Sequence, residues 1–163
     1  MCAITNNKTL TNGDIQVEDY QRLFDETLCN NISYISLCGC YGDPVASPTI
    51  FDSVKYLSSN NVGVNVHTNG CLRESNWWVE LAKIMDRRSI VIFAIDGITN
   101  EINKINRVNS NLKIIMRNVK AFIDAGGYAR WDFLIFDHNK HQLEDAKKMA
   151  EDMGFVIFNA RQT

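Results

Sequence analysis

The chain has 163 residues, of which 45% are hydrophobic and 22% charged, and a formal net charge of −2. Such a chain fits one globular domain with a buried core, and its charge argues against non-specific binding to nucleic acid, which needs a surplus of Lys and Arg. No apolar run approaches the roughly 20 residues that cross a bilayer, and the polar N-terminal segment is neither a signal nor a transit peptide. A cytoplasmic protein without membrane contact is expected. Cys2, Cys29, Cys38, Cys40 and Cys71 make an odd count, which points to reduced thiols rather than a disulfide framework.

In chain order, a polar segment at 5–14 precedes a helix carrying Val17, Tyr20, Leu23, Phe24 and Leu28. This helix has no strand before it, so the chain is expected to begin inside a βα loop whose strand lies upstream of Met1. Strands are predicted at 32–38, 62–67, 90–95, 131–136 and 155–158, short runs rich in β-branched and aromatic residues. Helical stripes fall between them. Ile50, Phe51, Val54 and Leu57 form one, behind Ser47 as a cap and Pro48 at the first helical position. Ser75 precedes a helix at 77–85 in which Trp77 and Trp78 cannot both face inward, and Arg87 and Arg88 follow at its negative end. Leu112, Ile115, Met116, Val119, Phe122 and Ile123 form the clearest stripe, stopped by Gly126 and Gly127. Asn139, with Gln142 three residues on, reads as a capping box for a last helix that carries Met149 and Met153 and stops at Gly154.

Strands alternating with helices imply a parallel sheet with right-handed crossovers, in a single domain spanning 1–163. Ligands of such sheets bind where the strands end. There the sequence places Cys38-Gly39-Cys40-Tyr41-Gly42-Asp43-Pro44, His67-Thr68-Asn69-Gly70 and Ala94-Ile95-Asp96-Gly97, with Arg107 further on. Taken singly, each is ordinary. Gly42-Asp43-Pro44 is a turn, Thr68-Asn69-Gly70 a turn or a helix cap, Arg107 a solvated charge, and His67 a strand-end residue that either faces the pocket or, the favoured reading, is a hydrogen-bonded structural histidine. Cys38 and Cys40 fit core packing better than a three-thiol site completed by Cys71.

Taken in order, these segments resemble the radical S-adenosylmethionine superfamily. Gly42-Asp43-Pro44 resembles the family's Gly-Glu-Pro after the second barrel strand, and Thr68-Asn69-Gly70 its Thr-Asn-Gly after the third. Ala94-Ile95-Asp96-Gly97 is similar to its Ser-Ile-Asp-Gly after the fourth, and Arg107 falls where an Arg is expected. His138-Asn139-Lys140-His141-Gln142 resembles a fifth-strand segment of members that carry extra C-terminal clusters. Met1-Cys2 resembles the end of the cluster motif Cys-x3-Cys-x2-Cys, whose other two ligands would then lie upstream. The departures are the absence of that full spacing from the chain, Asp43 in place of Glu, and Ala94 in place of Ser.

The resemblance implies an α/β fold, a partial (β/α)6 TIM-like barrel with strands 2–6 present. It implies a 4Fe-4S cluster with Cys2 as one ligand, and S-adenosyl-L-methionine held by Gly42, Asp43, Thr68, Asn69, Asp96 and Arg107. Arg107 would pair with the methionyl carboxylate through a forked, charge-assisted bond. Reductive cleavage of the sulfonium would give a 5′-deoxyadenosyl radical that takes hydrogen from a peptide or small-molecule substrate, an oxidoreductase chemistry fed by a donor such as ferredoxin or flavodoxin. With one motif cysteine, this chain alone is expected to be inactive. The rival reading is a degenerate, cluster-less barrel serving as a binding or partner module. An unrelated doubly wound nucleotide-binding domain is disfavoured, because no Gly-x-Gly-x-x-Gly opens a helix.

Overall fold

The structure, a computed structural model, describes residues 13–39 and 42–162. Its first helical stretch is two helices rather than the expected one, α1 (Val17–Leu23) and α2 (Glu26–Asn31). Asp25 makes the break, because its carboxylate accepts from the Leu28 N–H at 2.8 Å and so starts a new helix. Phe24, between the two, accepts from the Tyr56 hydroxyl at 2.8 Å, which ties the pair to α3 (Ile50–Ser59).

Five strands form one parallel sheet in sequence order: β1 (Tyr34–Leu37), β2 (Gly63–Thr68), β3 (Ile90–Ala94), β4 (Ala129–Ile135) and β5 (Ile157–Gln162). The α/β architecture expected from the sequence is the one observed. The last strand runs later than predicted. Its predecessor α7 (Leu143–Met153) ends in a left-handed Gly154 with φ 87°, and the Phe155 N–H closes that end on the Ala150 carbonyl at 3.0 Å. Phe155 therefore belongs to the helix stop, and pairing with β4 begins only after it.

The remaining helices are α4 (Ser75–Ile84), α5 (Asn100–Asn106) and α6 (Leu112–Asp124). Several boundaries differ from expectation. Ser47 and Pro48 do not open α3. Asp43 caps a 3₁₀ turn at Pro44–Ala46, and α3 starts after Thr49. Ser75 is the first residue of α4, which begins two residues before the expected start, behind Glu74 at the cap position. Arg88 turns back from the end of α4 to bond Asp86 and the Asn61 carbonyl. The short α5 was not foreseen, because its polar run has no apolar stripe to announce it.

Side chains alternate between the two faces of each strand. On one face Val64, Val66, Val91, Phe93, Ala129, Trp131 and Phe133 pack beneath helix residues that include Val54, Leu57, Trp78, Leu81, Ile115, Val119 and Phe122. Trp78 is fully buried and meets Phe93 at 5.4 Å and Phe122 at 6.2 Å between ring centroids. Trp77 stays half-buried beneath the Arg73 guanidinium, 5.6 Å from its carbon, so the two tryptophans divide as the helix geometry requires. Each large apolar side chain buried here contributes about 2–3 kcal/mol.

The opposite face is mostly polar. Register places Ser36 beside Asn65, His67 beside Ile92, Ile92 beside Arg130, Ala94 beside Asp132, Asp132 beside Asn159 and Leu134 beside Arg161. A small closed barrel fills this interior with bulky aliphatic layers. A polar interior instead leaves room for a ligand. Among the described residues no helix is long and apolar enough to cross a membrane.

Candidate functional site

The loops after β1, β2 and β3, together with the polar face of β4 and β5, enclose a cavity of about 450 Å³. Gly42, Asp43, Thr68, Asn69 and Arg107 line it, so five of the seven residues singled out by motif share one space. A second cavity, about 520 Å³, lies beside β1 and is lined by Ile15, Tyr20, Ser36 and Ser53 among others, with no Lys or Arg among its described lining residues.

Asp43 organises the first two loops. One carboxylate oxygen accepts from the Val45 N–H at 3.0 Å, and the other accepts from the Thr68 hydroxyl and the Asn69 N–H, both at 2.9 Å. Thr68 in turn accepts from the Gly70 N–H at 2.9 Å, and the Asn69 carbonyl oxygen of the side chain accepts from Cys71 N–H at 2.9 Å. Two glycines permit this closeness. A Cβ at Gly39 would collide with the Gly42 carbonyl, and one at Gly70, where φ is +74°, would sit 2.9 Å from Phe93.

Asp96 is fully buried and is not among the residues that line the cavity. Its carboxylate accepts from the Leu134 N–H at 2.9 Å, from Asn106 Nδ2 at 2.6 Å and from Arg107 Nε at 2.7 Å. Asp96 therefore positions Arg107. The rest of that guanidinium makes no hydrogen bond or ion pair to any other described residue and is left for the cavity. The Asn139–Gln142 pair is not a capping box. Asn139 Nδ2 donates to the Asp96 carbonyl at 2.9 Å and the Leu134 carbonyl at 2.8 Å, while Gln142 Oε1 accepts from Ile98 N–H at 2.9 Å. The two side chains clamp the loop that carries Asp96.

The inner wall was missed in the sequence. Asp132 and Arg161 line the cavity, with Arg130 and Asn159 bonded to Asp132. Their signal was the polar residue at every second position in Arg130-Trp131-Asp132-Phe133 and Phe158-Asn159-Ala160-Arg161, which an eye set for continuous apolar strands passes over. His67, on the same face, makes no side-chain hydrogen bond to a described residue, contrary to the structural role expected. Its burial pushes its pKa below the usual value; Asp132 opposes this, and Arg130 and Arg161 add to it.

Cys2, the expected cluster ligand, lies outside the described residues, as does Cys40. Cys38 is exposed and Cys71 half-buried, its sulfur accepting from the Asn111 N–H at 3.2 Å. Among the described residues no three His, Cys, Asp or Glu side chains gather as a metal site. The described residues do not by themselves fit an iron-sulfur cluster.

No protein-family model matches the chain. It is similar to the mycofactocin maturase MftC of Mycobacterium ulcerans, with 27% identity over 146 residues that cover 89% of this chain and 38% of that protein. Its fold matches Streptococcus suis SuiB bound to S-adenosylmethionine, with a TM-score of 0.79 at 13% identity over 95% of this chain and 35% of that one. It also matches anSMEcpe with bound AdoMet and a peptide, with a TM-score of 0.70 at 14% identity over 99% of this chain and 47% of that one. The resemblance to radical S-adenosylmethionine enzymes holds. The chain spans little more than a third of the curated maturase it matches, at 38% of its length.

Proposed function

We propose that the 450 Å³ cavity is the S-adenosyl-L-methionine site of a radical S-adenosylmethionine barrel core formed by 1–163, and that the whole protein acts on a peptide by hydrogen-atom abstraction. The observation that carries this reading is Arg107, engaged at Nε by a buried Asp96 and otherwise turned to the cavity across from the Gly42 and Asn69 loops. A guanidinium held in this way suits a carboxylate such as the methionyl one. Asp43 fixes the Asn69 backbone and the turn after Gly42, which lets main-chain groups approach the ligand closely. Leu134, Ala94 and Ile92 supply an apolar wall for a flat base. The neighbours' S-adenosylmethionine and peptide ligands support the same assignment. A 4Fe-4S cluster in the whole protein, with Cys2 as the motif cysteine of this chain and its other ligands still to be supplied, would provide the reducing chemistry for the sulfonium.

Calorimetric titration with S-adenosylhomocysteine tests the site. The chain should bind it, and Arg107→Gln should weaken binding at least tenfold, the loss of a charge-assisted bond of about 1.5–3 kcal/mol. Arg107→Lys, which keeps a cation over Asp96, should fold normally and bind with intermediate affinity. Equal affinity in all three proteins would overturn the assignment.

A further inference from the structure

We propose that the same cavity carries a second anion subsite, in which Arg161 of the β4–β5 wall and His67 of β2 hold a carboxylate of the substrate. This rests on the reading above, because a cofactor with one carboxylate, taken by Arg107, leaves the second guanidinium for another ligand.

The charge arrangement makes the case. Asp132, whose side chain is 9% exposed, receives Arg130 through Nε and Nη2, Asn159 Nδ2 at 3.0 Å and Arg161 Nη2 at 3.1 Å. Two guanidiniums thus answer one carboxylate, and a positive charge remains over. Arg130 lies deeper, beside Ile92 in register, whereas Arg161 sits beside Leu134 near the mouth with its side chain 60% exposed. Asp132 holds Arg161 at one Nη, as Asp96 holds Arg107 at Nε, and in each case the other donors are left over. The cavity's two carboxylates, Asp43 and Asp132, already accept three or more hydrogen bonds each from the protein, so neither competes for those donors. His67, on β2 rather than on that wall, lines the same cavity and has no described hydrogen-bond partner for its ring. An imidazole N–H and a guanidinium that line one cavity offer a carboxylate two donors of different strength. The ligand class is a peptide presenting either an acidic side chain or its own C-terminal carboxylate.

His67 is one of three histidines, so its imidazole signals can be followed by NMR. The probes are acetyl-Ala-Ala with a free terminus, acetyl-Ala-Glu amide and acetyl-Ala-Gln amide, added with and without S-adenosylhomocysteine. At least one acidic probe should move the His67 signals saturably and leave exposed His141 in place; the neutral amide should not. Which acid succeeds separates terminus from side chain. Arg161→Gln should weaken that binding at least tenfold, and by more than it weakens S-adenosylhomocysteine binding. Arg161→Lys, retaining the charge without the fork, should fall between. Equal shifts from the neutral amide, or undiminished acid binding in both Arg161 variants, would overturn the subsite. Acid binding at Arg161 without any S-adenosylhomocysteine binding would keep the subsite and sink the cofactor assignment.

Discussion

Asp43 links two loops that are 25 residues apart through a single carboxylate. Removing it leaves the Val45 and Asn69 N–H groups and the Thr68 hydroxyl without an acceptor. Asp43→Ala should therefore cost about 2–3 kcal/mol in urea unfolding, and an unchanged midpoint would show that water replaces the carboxylate freely. His67 makes a pH prediction. Its folded pKa lies below the ordinary 6.5, so folding favours the neutral ring. That contribution is complete above about pH 6.5 and is lost as the pH falls from there through the folded pKa. His67→Gln should flatten stability against pH across that window; an unaltered slope would place the titration elsewhere. At this scale the sequence displayed Gly42, Asp43, Thr68, Asn69 and Arg107 in plain order. It did not show that Asp96 serves Arg107 rather than the cavity, because a residue's partner ten or more positions away leaves no local mark.

Among the elements, strands and major helices were legible because hydrophobic periodicity is written along the chain. The break at Asp25 and the short α5 were not, since one is a capping event inside an apolar stripe and the other has no stripe. Asn139 shows how a local motif misleads. The Asn-x-x-Gln spacing suits a cap, but the fully buried amide instead joins the end of β4 to the loop after β3. Asn139→Ala would strip the acceptor from the Phe136 N–H and the donor from two carbonyls. We expect a loss of about 3 kcal/mol, read as a lower melting temperature, together with weaker S-adenosylhomocysteine binding through a loosened Arg107. A stability loss with binding untouched would separate the clamp from the site.

Across the whole molecule, a singly wound parallel sheet buries one face under helices and turns a polar face to a cavity. Sequential strand order delivers successive βα loops to the same rim, which is why residues spread from 42 to 107 meet around one space. The polar rows on β4 and β5 extend that rim into a second wall, and this pairing of one loop-borne guanidinium with one strand-borne guanidinium was visible only after folding. Hydrogen–deuterium exchange with and without S-adenosylhomocysteine tests the arrangement most directly. Simultaneous protection of 42–47, 68–72 and 96–110 is the expected result. Protection confined to 13–20 and 49–53, around the other cavity, or no protection at saturating ligand, would contradict it.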